Sequence, residues 1–150
     1  MQTITRTSSQ NADFKNLILL LDQVLKIVDG EEHAYFDQYN QIDSINNVVV
    51  CYENGIAIGC GAFKEYELGI AEIKRMFVHE EYRGKGIASA ILSELELWAK
   101  ELNYVACILD TNKALTNAVA LYKKSGYSIT ENYGQYIGIE CSICMKKVLK

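Results

Sequence analysis

The stretch AEIKRMFVHEEYRGKGIASAIL, residues 71–92, decides how this chain is read. Ile70 to Val78 is a short apolar-rich run of strand length. From Gly84 onward the periodicity changes, and Ile87, Ile91, Leu92, Leu95, Trp98, Ala99 and Leu102 form the apolar stripe of one long helix. Between the two elements lies Arg83, Gly84, Lys85, Gly86, Ile87, Ala88. The first turn of a helix presents unpaired N–H groups and a partial positive charge, and glycines let an anion approach the backbone. Placed there, the segment can cradle a pyrophosphate; the same composition also suits an ordinary basic, glycine-containing loop. Neither GxxxxGK nor GxGxxG is present, which disfavours a nucleotide triphosphatase or a dinucleotide-binding domain.

Working outward, Thr3 to Ser8 reads as a first strand. Phe14, Leu17, Ile18, Leu21, Leu25 and Val28 recur at helical spacing until Gly30 stops the pattern. A short second helix is expected over His33 to Tyr39. Val48 to Val50 and Ile56 to Phe63 flank an Asn54–Gly55 turn, a strong hairpin signal. Beyond the long helix, Tyr104 to Leu109 reads as a buried strand. Leu115, Ala118, Val119 and Tyr122 share a helix face ended by Gly126, and Tyr127 to Tyr133 pairs with Cys141 to Leu149 as a last hairpin. The expected fold is a single α/β domain over residues 1–150, with a mixed sheet and three or four helices.

Bulk properties narrow the function. A chain of 150 residues without proline or a serine- or glycine-rich linker suits one domain. The longest apolar run near the N-terminus, Leu17 to Leu21, falls far short of the roughly 20 residues of a membrane span. Met1 to Gln10 lacks the features of a secretory signal, so the expected location is cytoplasmic. Five cysteines, an odd number placed mostly in apolar segments, read as reduced thiols. A net charge of −4 repels phosphate backbones and anionic lipid, and disfavours nucleic acid and membrane partners. Cys141 and Cys144 have CxxC spacing but point to opposite faces of a strand, and His33 and His79 have no companion ligands, so no metal site is expected.

The loop from Arg83 to Ala88 resembles the (Arg/Gln)xxGx(Gly/Ala) coenzyme A motif of GNAT acetyltransferases, with Arg83, Gly86 and Ala88 at the defining positions. Ala71 to Val78 is similar to that family's fourth strand, and Leu121 and Tyr122 through Lys124 to Gly126 and Tyr127 to its closing helix. The resemblance runs over roughly residues 47–149. The pattern Asn132, Tyr133, Gly134, Gln135, Tyr136, Ile137, Gly138 is similar to the tail of a bacterial subgroup.

The resemblance implies a mostly antiparallel sheet of about seven strands flanked by about four helices, acetyl-coenzyme A as cosubstrate, and acetyl transfer to an amine of a small molecule or peptide. It also implies roles. Backbone amides of Arg83, Gly84, Lys85, Gly86, Ile87 and Ala88 would hold the pyrophosphate. The main chain of Met76, Phe77 and Val78 would hydrogen-bond the pantetheine arm between splayed fourth and fifth strands, and the Val78 N–H would face the thioester oxygen. Glu72 matches the general base of some members; it also reads as a surface carboxylate paired with a lysine. Tyr122 matches the acid that protonates the coenzyme A sulfur, and also falls on its helix's apolar stripe. Many relatives carry Asn or Gln where this chain has Leu115; Asn117 is the substitute, or a solvent-facing residue. Lys124 could reach a cofactor phosphate, and equally suits a solubilising role. Tyr35, Phe36, Tyr39, Tyr133 and Tyr136 could wall the acceptor pocket, or pack as core and rim aromatics. A non-catalytic acyl-coenzyme A sensor and a protein-interaction domain are the competing classes, and exposed sheet edges would allow a homodimer.

Overall fold

The computed structural model describes residues 1–30 and 45–150. In chain order they form β1 (Gln2–Thr7), α1 (Ala12–Asp29), β2 (Asn47–Glu53), β3 (Ile56–Glu67), β4 (Ile70–Val78), α2 (Ile87–Glu101), β5 (Ala106–Asn112), α3 (Thr116–Lys124), β6 (Ser128–Thr130) and β7 (Ser142–Val148). Short 3-10 turns cover Glu80–Tyr82 and Gly134–Tyr136.

Local chemistry explains several boundaries. Asn11 caps α1, its side chain accepting from the Phe14 N–H at 2.9 Å. Asn54 and Gly55 both adopt positive φ (51° and 82°), the geometry of a tight hairpin turn between β2 and β3. Seven strands lie in the order β1-β2-β3-β4-β5-β7-β6. Every pairing is antiparallel except β4 with β5.

Alternation within the strands builds two cores. Val48 and Val50 pack with Phe14, Leu17, Leu21 and Phe77 beneath α1. Val49, Phe63, Ile73 and Val78 pack with Ile91 and Leu95 beneath α2. Each fully buried side chain of this size contributes about 1.5–3 kcal/mol. Helix α2 sits close to β3 because Gly59 and Gly61 offer no side chains there: a Cβ on Gly61 would lie 2.5 Å from Met76 Sδ and 2.9 Å from Ile91 Cγ2.

Two irregularities interrupt the middle of the sheet. Opposite Gly61 the β3–β4 register jumps from Cys60↔Phe77 to Ala62↔Lys74, so Arg75 and Met76 form a bulge, with Arg75 at φ 59°. Strand β5 pairs only Ala106, Cys107 and Ile108 with Ile70, Ala71 and Glu72. From Ile73 onward β4 has no β5 partner, and a gap opens.

The expected seven-stranded, mostly antiparallel sheet is present. The described helices number three; the helix expected over His33 to Tyr39 lies outside the described residues, as do Tyr35, Phe36 and Tyr39. Two boundaries differ from expectation. The strand read as Tyr104 to Leu109 runs from Ala106 to Asn112, because Asp110, Thr111 and Asn112 pair with Cys144, Ile143 and Ser142. The last hairpin is shorter on its first side, since only Ser128–Thr130 pairs with β7. Among the described residues no helix is long and apolar enough to cross a membrane.

Candidate active site

Where β4 and β5 part, a cavity of about 140 Å³ opens through the sheet. Strand β4 contributes Glu72, Lys74, Arg75 and Met76; β5 contributes Asp110, Thr111 and Asn112. Leu115, Ala118 and Tyr122 of α3 close one side, Leu21, Leu25 and Asp29 of α1 the other, and Tyr136 and Ser142 complete the wall.

Glu72 is buried at 3% exposure. Its Oε2 accepts from the Tyr133 hydroxyl at 2.8 Å, and its Oε1 lies 4.0 Å from Lys74 Nζ. The lysine neighbour matches expectation; the expected surface location does not hold, because the turn carrying Tyr133 folds over the strand. Tyr133 in turn stacks edge-on against Tyr66 and Tyr136. Burial, together with Glu72, raises the Tyr133 phenol above its ordinary value, so it remains a donor.

Tyr122 is buried on α3, lines the cavity and packs edge-on against Tyr127. Burial pushes its phenol above the ordinary value, and the Asp110 carboxylate adds to the rise. Asp110 itself is raised by burial from 3.8 to about 7, although hydrogen bonds from Ser142 and Cys144 oppose the change. Burial lowers the Lys74 ammonium, with Glu72 pulling the other way. The cavity thus holds proton-handling groups on both sides of the gap.

The end of β4 leads into the glycine turn. His79 N–H donates to the Ile58 carbonyl at 2.8 Å. Ladder alternation therefore points the Val78 N–H and C=O away from β3, toward the gap. The Val78 carbonyl accepts from Arg83 Nε at 2.9 Å, and the Arg83 guanidinium lies 5.8 Å over Phe77. The N–H of Val78 stays on the open side. Gly84 and Gly86 adopt φ 81° and 78°, and an added Cβ at either would meet none of the described residues within 4 Å. Among the described residues no side chain caps the first turn of α2, and that turn carries no acidic residue. A helix start without a side-chain cap leaves amides available to an anion.

Of the residues that the sequence singles out, Glu72, Met76, Tyr122 and Tyr136 line the cavity, and Tyr133 reaches it through its hydrogen bond to Glu72. Phe77 and Val78 are buried in the strand, Ile87 anchors α2 in the core, and Ala88 is half-buried beside it. Gly84, Lys85 and Gly86 are exposed, with Lys85 Nζ 5.3 Å over the Tyr82 ring. Asn117 is exposed on α3 outside the cavity wall, where Leu115 stands instead; Lys124 is also exposed. The sequence does not single out Asp110, Lys74 or Arg75. An aspartate directly following the apolar run Val105 to Leu109 is the available signal for the first, alternation with Glu72 the signal for Lys74, and Arg75 depends on the bulge.

Comparison with known proteins fits this geometry. The profile of the Acetyltransferase (GNAT) family matches residues 17–127. The "IAA acetyltransferase" of Azospirillum brasilense is 30% identical over 149 residues, covering 98% of this chain and 97% of that protein. A Klebsiella pneumoniae protein classed with the acyl-CoA N-acyltransferases superposes with a TM-score of 0.85 at 27% identity, covering 100% of this chain and 99% of the other. A GNAT family acetyltransferase of Elizabethkingia anophelis, crystallised with acetyl-CoA bound, gives a TM-score of 0.72 at 24% identity, covering 99% and 98%. With its sheet parted between β4 and β5 and an uncapped glycine turn at the head of α2, the chain belongs to the GNAT acetyltransferase family.

Proposed function

We propose that this chain moves an acetyl group from acetyl-coenzyme A to the amine of a small molecule by direct attack, as one domain working in the reducing cytoplasm. The observation that carries the reading is the β4–β5 gap, which opens between the uncapped turn of α2 and a cavity of buried acids and bases.

Coenzyme A fits what is there. The amides from Gly84 to Ala88 suit its pyrophosphate, since positive φ and the lack of a cap leave N–H groups facing open space. The edge of β4 from Met76 to Val78 offers main-chain groups to the pantetheine arm. Arg83, in the loop after the 3-10 turn, reaches back to the end of β4 and holds the Val78 carbonyl, which helps keep the Val78 N–H aimed at the acyl oxygen. Asn117, exposed on α3, contributes at most at the rim.

An amine attacks only when neutral, so the acceptor's ammonium must lose a proton. Glu72 takes it, directly or through water, and the Tyr133 hydroxyl fixes the carboxylate's orientation. Tyr122 donates a hydrogen bond to the departing sulfur. Because its phenol stands well above the roughly 8.5 of a thiol, it keeps its own proton and stabilises the sulfur by hydrogen bonding, while the second proton shed by the attacking nitrogen reaches the thiolate, directly or through water, as the C–S bond breaks.

Calorimetry with acetyl-coenzyme A, followed by thiol release across an amine panel, tests the reading. Tyr122→Phe should lower turnover about 10²-fold while cofactor affinity stays within twofold. Absence of heat, or heat without thiol release for any amine, overturns it.

A further inference from the structure

Arg75 lines the cavity, and the proposed reaction leaves its chemistry unused. It sits in the β4 bulge at φ 59°, a conformation unfavourable for a side chain of this size. Strain of this kind persists where the surrounding structure enforces it, often at ligand sites. Its side chain is 2% exposed. Nη2 meets Asp22 Oδ1 at 2.6 Å, but among the described residues the buried Nε and Nη1 have no hydrogen-bond partner. A guanidinium has five N–H donors in a planar fork, and a buried donor left unpaired is unfavourable. Arg75 is among the residues that line the cavity, so a ligand group entering there can supply the partner its buried donors lack.

The ladder places Arg75 on the acceptor side. Lys74 pairs with Ala62 and Phe77 with Cys60, all on the α1 face of the sheet, and Arg75 reaches Asp22 of α1 on that same face. Glu72, the proposed base, lies on this face too, through its pairing with Lys64. A fork of donors beside the base suits a planar monoanion on the amine substrate. A phosphate dianion suits it less, because Glu72 and Asp110 line the same small cavity.

We propose that Arg75 binds the carboxylate of the acceptor, and that the substrate class is a free amino acid or similar small amino-carboxylic acid. This rests on the acetyl-transfer reading and narrows it. Arg75 is a specificity-determining residue; Glu72 and the turn of α2 do the rest of the work whatever the acceptor carries.

The test compares the twenty L-amino acids with their carboxamides and with the amines lacking the carboxyl group, using thiol release from acetyl-coenzyme A. Wild-type kcat/KM should be about 10- to 100-fold higher for the acid of a matched pair, the range of a charge-assisted hydrogen bond. Arg75→Gln should bring the ratio to within about twofold, and Arg75→Lys should leave it intermediate; a purely structural role would lower both members of the pair alike. Should Arg75→Gln fail to fold, the wild-type ratio and Arg75→Lys decide. Equal rates for acid and carboxamide, exclusive use of amines without a carboxyl, or a ratio unchanged in Arg75→Gln each overturn the proposal while acetyl transfer stands. Absence of calorimetric heat with acetyl-coenzyme A removes the underlying reading and this proposal together.

Discussion

Replacing Asp110 by Asn should make the protein more stable at alkaline pH and abolish part of its pH dependence. The native carboxyl is raised by burial from 3.8 to about 7. A raised acid binds its proton more tightly in the folded state, so between these two values the native state holds more protons than the unfolded one. Stability then falls as pH rises through that window, by about 1.4 kcal/mol per unit, and levels off above the folded value. From pH 5 to pH 8 the wild type should lose about 2.5 kcal/mol relative to Asp110→Asn. With a urea slope of about 2 kcal/mol/M, the gap between their midpoints should shift by a little over 1 M across that range. Urea titrations of both proteins at pH 5, 6, 7 and 8 provide the readout, and the difference between the two curves isolates the one group. A difference independent of pH, or one growing toward acid, would refute the argument that desolvation dominates this carboxyl.

Three other outcomes are expected from the same geometry. Glu72→Gln should reduce kcat/KM for the amine about 10²- to 10⁴-fold and leave acetyl-coenzyme A affinity within twofold; a matching loss of affinity would show that Glu72 serves the cofactor. Gly61→Ala should cost about 1–3 kcal/mol in urea denaturation, since its Cβ would press on Met76, Ile91 and Leu95; an unchanged midpoint would mean α2 is free to back away. Gly86→Ala meets no neighbour, so its stability loss, about 1 kcal/mol from the left-handed backbone, should come with weaker cofactor binding by calorimetry, and intact affinity would count against the amide cradle.

What can be read from the sequence is what is encoded locally. The Asn54–Gly55 turn, the apolar stripe of α2 and the glycine turn before it each carry their signal within a few residues. Glu72 and Tyr122 are legible through the motif that surrounds them. Asp110 is not, because the strand's apolar run stops at Leu109 and its continuation is set by pairing with Cys144, 34 residues later. Arg75 escapes for a related reason. Alternation along β4 assigns it to the face of Ile73, and only the bulge opposite Gly61 turns it toward α1. The burial of Glu72 likewise depends on a tyrosine 61 positions away.

The short contact between β4 and β5 has a consequence beyond chemistry. Among the described residues, three pairs are all that join the wing β1–β2–β3–β4 to the wing β5–β7–β6 within the sheet. On the proposed reading, a cosubstrate lying in the notch would stand in for the missing strand, and its occupancy would close a seam in the architecture. By mass action, a hundredfold excess over the dissociation constant adds about 2.7 kcal/mol to unfolding. On the proposed reading, the urea midpoint should therefore climb as acetyl-coenzyme A is added, and the two wings should come apart more readily without it.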